Sequence, residues 1–139
     1  MKALSVDSDF AALIAAGEKT IECRTWKTSY RGELLICSNR LVVPGTIPRH
    51  AIAVCYLKNV REFQKADIDA ACLERGDFQK GLYAWELDPI CSVIPFQVRG
   101  MPGLFDVDDS LISRIDDAFL SEEEMDAIIE KYFTPLLSV

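Results

Sequence analysis

The chain has 139 residues, half of them apolar, and a formal net charge of −7. That composition predicts one domain with a hydrophobic core and excludes a disordered chain. No run of about 18 uninterrupted apolar residues occurs, and the N-terminus turns acidic without a signal peptide's apolar stretch, so a cytoplasmic, unprocessed protein with no membrane partner is expected.

Met1 to Val6 alternates weakly and predicts a short strand. Asp7 or Ser8 can cap the helix that follows, because their side-chain oxygens accept the free N–H groups of a first turn. Phe10, Leu13, Ile14 and Gly17 keep helical spacing, with Gly17 as the stop. Residues 20–26 have period two, with Ile21 and Cys23 on the core face and Glu22, Arg24 and Trp26 on the other. Ser29-Tyr30-Arg31-Gly32 is a turn, and residues 33–38 form an apolar strand, so a hairpin between 20–26 and 33–38 is the expected pairing. Pro44, Gly45 and Pro48 make residues 39–50 a loop, and Ala51 to Val60 is another strand.

Ile68, Ala71 and Cys72 keep helical spacing before Gly76, which predicts a helix over 67–75. Leu82 to Leu87 alternates as a strand. Asp88-Pro89 interrupts it, and Ile90 to Val98 resumes it. Gly100 to Gly103 is a tight turn, and Leu104 to Val107 is short and extended. Ser121 and Glu124 form a capping box for a last helix over 122–133, whose Met125, Ile128, Ile129 and Tyr132 make a stripe expected to pack on the core. The sum is an α+β chain: a small, closed or nearly closed β-barrel with flanking helices.

The charge is unevenly distributed. Residues 19–65 carry nine basic groups against three acidic ones, while residues 104–139 carry two against ten. A basic front half on an acidic protein suits a local anion-binding face. The five cysteines have no Cys-x-x-Cys spacing, and His50 is the only histidine. They read as small buried hydrophobes rather than a zinc site, and no metal or other cofactor is expected.

The densest chemistry lies at Lys19, Glu22 and Arg24, where the first helix meets the second strand. Two cations and a carboxylate at that spacing form either an ion-pair ladder or a site for a polar anion. Lys19 and Arg24 can neutralise phosphate, and Glu22 can accept from an amine or act as a general base. Trp26, Tyr30 and Trp85 offer faces on which a base could stack, although Trp85 also fits a core aromatic, and Arg31 adds a cation in the intervening turn.

The pattern Gly17-x-Lys19-x-x-Glu22-x-Arg24 after a short helix resembles the signature of the ASCH domain family. Tyr30-Arg31-Gly32 before an apolar strand, the strand Leu82-Tyr83-Ala84-Trp85-Glu86-Leu87, and Pro95-Phe96-x-Val98-x-Gly100-x-x-Gly103-Leu104-Phe105 follow in the order that family shows. The resemblance covers most of residues 1–107 and leaves 108–139 as an acidic helical extension packed on the same domain. It implies a PUA-like barrel with a cleft lined by the Lys19–Arg24 stretch, and RNA or a nucleotide, including one with a modified base, as the partner.

Some similar proteins are amidohydrolases acting on N4-acetylcytidine. They carry a Thr three residues after the Lys, where this chain has Glu22, and a distant Glu, for which Glu86 is the candidate. A hydrolase of that kind or a ribonuclease, with Lys19 and Glu22 catalytic, is thus the alternative to simple binding. A third alternative is a protein-interaction module whose acidic C-terminal helix takes a basic partner.

Overall fold

The computed structural model describes residues 1–139. Its elements are β1 (Lys2–Val6), α1 (Ser8–Ala15), β2 (Ile21–Arg24), β3 (Gly32–Ser38), β4 (His50–Glu62), β5 (Tyr83–Gln97), β6 (Leu104–Asp106), β7 (Arg114–Ile115) and α2 (Glu122–Ile128). The strands form one mixed sheet in the order β2-β5-β4-β3-β1-β6, with β7 added to β5. The sheet curls into a half-barrel, and α1 packs on it against β3, β4 and β5. No helix is long and apolar enough to cross a membrane.

Strand alternation builds two cores from one sheet. Leu34 and Ile36 of β3 face inward with Leu4, Val6, Leu57 and Trp85, and α1 adds Ala11 and Ile14. Leu35 and Cys37 face the other way, with Ala3, Val54 and Val93. Period two thus assigns neighbouring residues to opposite layers. Ile14 is 3% exposed, and burying such a side chain contributes about 2 kcal/mol towards holding α1 on the barrel. Cys37 and Cys55 are buried as expected, and burial pushes both thiols up to about 12. Cys23, Cys72 and Cys91 are only half-buried, and all five cysteines are free.

The expected hairpin between residues 20–26 and 33–38 does not form. β2 pairs with β5, while β3 lies between β1 and β4. β1 and β3 run parallel. A parallel pair needs a long crossover, and α1 with β2 supplies it. Both edges of β3 are therefore filled, and β2 is left to pair at the far side of the sheet.

Three further expectations change. Residues 67–75 do not form a helix. A 3₁₀ turn covers Lys65–Asp67, and the chain breaks at Cys72, whose φ is 53°. Asp67 spends its carboxylate on the Gln64 N–H and on a bidentate pair with Arg61. Asp88-Pro89 does not interrupt the strand either, since β5 runs through it. The missing proline N–H instead coincides with a register shift against β4 between Val54 and Cys55.

The third change concerns the last helix. The capping box of Ser121 and Glu124 is present, but no residue of α2 is buried, and Ile129 and Tyr132 are 40% and 37% exposed. Met125 and Ile128 are half-buried, and no residue of the stripe belongs to the core clusters.

Candidate functional site

Gly17, with φ of 79°, ends α1 and turns the chain back under it. The N–H groups of Glu18 and Lys19 then both donate to the Leu13 carbonyl. This directs the Lys19 side chain into the protein, where it is 2% exposed. Its Nζ donates to the Ala71 carbonyl, lies 3.6 Å from Glu22 Oε1 and sits 4.4 Å from the centre of the Phe10 ring. Burial lowers the lysine's pKa from its ordinary 10.5, and Glu22 opposes that only in part.

Glu22 is 4% exposed and serves three groups. Oε1 faces Lys19 and accepts from the Cys23 N–H at 3.1 Å, and Oε2 lies 3.3 Å from Arg24 Nη1. The carboxylate therefore sits between an internal amine and a half-buried guanidinium. The ion-pair ladder is present in part. Lys19 and Glu22 make an internal ion pair, and Arg24 reaches from that pair to a surface cleft.

That cleft has a volume of about 970 Å³. It opens where β1, β2, β3 and β5 end. Twelve residues line it, among them Arg24, Arg40, Arg49 and Arg99 and no Asp or Glu. Ser5, Ser38, Asn39 and Gln97 add neutral hydrogen-bonding groups. None of Arg40, Arg49 and Arg99 has a carboxylate partner among the ion pairs of the protein. Unpaired guanidiniums around one concavity give it a positive lining, and a guanidinium's planar fork has the geometry to pair with carboxylate or phosphate. No three of the His, Cys, Asp and Glu side chains converge as a metal cage would require.

Backbone contacts hold the cleft in shape. Arg49 has a φ of 61°, a left-handed conformation rare for a residue with a side chain. Its N–H donates to the Asn39 carbonyl at 2.9 Å, and its carbonyl accepts from the Val98 N–H at 3.0 Å. One strained residue thus ties together the three segments that carry Arg40, Arg49 and Arg99. Gly100 is needed for close approach, since a Cβ there would fall 2.7 Å from Ser5 Oγ.

The other expected site residues lie elsewhere. Trp85 is fully buried. Its Nε1 donates to the Trp26 carbonyl at 3.2 Å, and its ring meets Trp26 edge to face at 4.7 Å. Trp85 therefore presents no open face for a base, and the core-aromatic reading is the correct one. Trp26 is half-buried against the same core. Tyr30 donates to the Glu33 carbonyl at 2.6 Å and lines a smaller cavity of about 390 Å³ with Met1 and Arg114, at the opposite ends of β1 and β3 from the arginine cleft. Arg31 is exposed and bonds the carbonyls of Thr28 and Tyr30, closing its own turn.

Glu86 pairs in register with Ile21, one position from the Glu22–Trp85 pair, so it points to the opposite face from Glu22. It bonds Asn59 and Arg61 there, which removes it as a distant acid for Lys19. The residues that sequence reasoning passed over are Arg40, Arg49 and Arg99. The basic excess over residues 19–65 counted the first two, but only the fold brings them to Arg24.

Comparison with known proteins places these features in context. The model of the ASCH domain matches residues 4–101. The fold is similar to the crystal structure of ASCH from Zymomonas mobilis, with a TM-score of 0.61, 16% identity and 94% of each chain covered. Two single-residue mutant proteins of that bacterial ASCH superpose with TM-scores of 0.59 at 16% and 17% identity, covering 94% and 93% of this chain and 96% and 94% of theirs, respectively. A search of curated proteins returned no match.

Proposed function

The chain belongs to the ASCH domain family, and from that premise we propose that its arginine cleft binds the phosphates of RNA or of a nucleotide. The observation that carries this reading is the grouping of Arg24, Arg40, Arg49 and Arg99 around one concavity without a carboxylate. The whole protein carries net negative charge, so a cleft of this sign is a local feature. Lys19 and Glu22 are positioning residues in this reading. The buried pair fixes the direction from which Arg24 enters the cleft.

The test is a titration with fluorescent single-stranded oligouridylate over a range of salt. Wild-type affinity should fall as salt rises, because bound counterions are released from the strand. The Arg40→Ala/Arg99→Ala double variant should bind more weakly, with a log–log salt slope shallower by roughly 1.4, at about 0.7 for each phosphate that is no longer neutralised. Binding by the double variant that matched wild type in affinity and slope would refute the cleft as the site.

Hydrolysis is the second reading, and the lowered pKa of Lys19 favours it, since a neutral amine is the nucleophilic form. It has less support than binding. The amine is occupied by the Ala71 carbonyl and does not line the cleft. Release of acetate from N4-acetylcytidine, abolished by Lys19→Ala, is the observation that would promote it.

A further inference from the structure

A second concavity, of about 270 Å³, shares no residue with the arginine cleft. It lies where β4 slips register against β5. Val54 pairs with Cys91 and Cys55 with Pro89, which leaves Ile90 as the extra residue of a bulge, 44% exposed at the opening. Ala53, Val54 and Cys55 line the hollow from β4, and the end of α1 lines it from the other side. Eight of the twelve lining residues are apolar, and none is Lys, Arg or His.

The charge around this apolar hollow has one sign. Asp117 is its only carboxylate and takes part in no ion pair of the protein. Ala15, Ala16 and Gly17 bring the C-terminus of α1 to the hollow. A helix C-terminus carries partial negative charge and favours a cation, yet the last turn of α1 has no basic residue. The N–H groups of Glu18 and Lys19 return to the Leu13 carbonyl, so the carbonyls of Ala15 and Ala16 accept no backbone hydrogen bond. Lys19, the next cation along the chain, turns away to Ala71 and Glu22. Arg114, whose charge reaches Cys91, is already held on two nitrogens by Glu33.

We propose that this hollow binds a small aliphatic primary amine in its ammonium form. The tail would lie against Ile14, Ala53 and Val54, and the ammonium would sit between the Asp117 carboxylate and the end of α1. An ammonium has three N–H donors and no acceptor, and Asp117 with the two free carbonyls offers acceptors for all of them. The volume sets the size of the ligand, since about 150 Å³ suffices for benzene and drug-sized ligands need about 300 Å³ or more. A carboxylate or phosphate of the same size would meet a carboxylate and a helix end of its own sign. A neutral alcohol would fill the apolar part and leave Asp117 without a partner.

The experiment titrates ¹⁵N-labelled protein at pH 7 and constant ionic strength with n-hexylamine, 1-hexanol and sodium hexanoate. Backbone amide shifts at Ala16, Gly17, Ala53 and Asp117 report binding. Hexylammonium should give saturable shifts at these amides with a Kd on the order of 1 mM. Hexanol should bind roughly fivefold more weakly, the scale of one exposed ion pair, and hexanoate should produce no shift there. In Asp117→Asn, a substitution at an exposed position, hexylammonium should fall to the affinity of hexanol, while hexanol itself is unchanged.

No saturable shift at these amides with hexylammonium overturns the proposal. Equal binding of hexylammonium and hexanol by wild type also overturns it, because the hollow would then select for apolar surface alone. So does an Asp117→Asn variant that keeps the wild-type affinity for hexylammonium. Oligouridylate binding at the arginine cleft is separate from each of these outcomes.

Discussion

At the scale of single residues, Arg49 links backbone strain to the proposed binding. Its left-handed φ of 61° is maintained by bonds to Asn39 and Val98, and that conformation costs a residue with a Cβ about 1–2 kcal/mol. Glycine adopts it freely but loses more entropy on folding. The expected net effect is that Arg49→Gly is about 1 kcal/mol more stable than Arg49→Ala in denaturant unfolding, while both bind oligouridylate more weakly than wild type. A glycine variant less stable than the alanine variant would show that the arginine is not held under strain. Lys19 illustrates the opposite relation, in which burial costs the charged form and the carboxylate of Glu22 offsets only part of that cost.

At the scale of elements, β2 and Lys19 depend on a segment that has no regular structure. The Ala70 carbonyl accepts from both Thr20 and Ile21, and the neighbouring Ala71 carbonyl accepts from Lys19 Nζ. That segment is clipped to β4 by the Arg61–Asp67 pair, with nitrogen–oxygen distances of 2.7 and 2.8 Å. Arg61 holds the Asp67 carboxyl below its ordinary range. The clip is therefore intact above that range and is lost as pH falls through the lowered value. Asp67→Ala should cost about 2 kcal/mol, the scale of charge-assisted hydrogen bonds. It should also speed hydrogen exchange at the Thr20 and Ile21 amides. Unaltered exchange at those two amides would mean that the segment stays docked without the clip.

At the scale of the whole molecule, the two charge halves meet. The Ser138 N–H donates to the Thr46 carbonyl, and its own carbonyl accepts from Gly45, both at 2.8 Å. This fastens the acidic C-terminal segment to the loop between Arg40 and Arg49. Its carboxylates make no ion pair with the cleft arginines, so they act through their field, which salt screens over about 10 Å. Neutralising Glu122, Glu123, Asp126 and Glu130 to their amides should raise the association rate of oligouridylate several-fold at low salt and leave it unchanged at high salt. Equal rates at low salt would place the segment's charge beyond the reach of the cleft.

Local patterns carried much of this protein. Alternation separated Ile21 and Cys23 from Glu22, Arg24 and Trp26, and Gly17 and the Ser121–Glu124 box marked the helix ends that the structure shows. These features depend on neighbours a few residues away, which is why the linear chain displays them. Strand partners depend on which edges remain free after the whole sheet is assembled, so the pairing of β2 with β5 was not legible from the turn that follows β2. The convergence of Arg40, Arg49 and Arg99 on Arg24 has the same origin. By itself the sequence determined that cations are concentrated in residues 19–65 of an otherwise acidic chain. Tertiary structure decided which cations stay free of carboxylates, because freedom from a partner depends on every residue that the fold brings near.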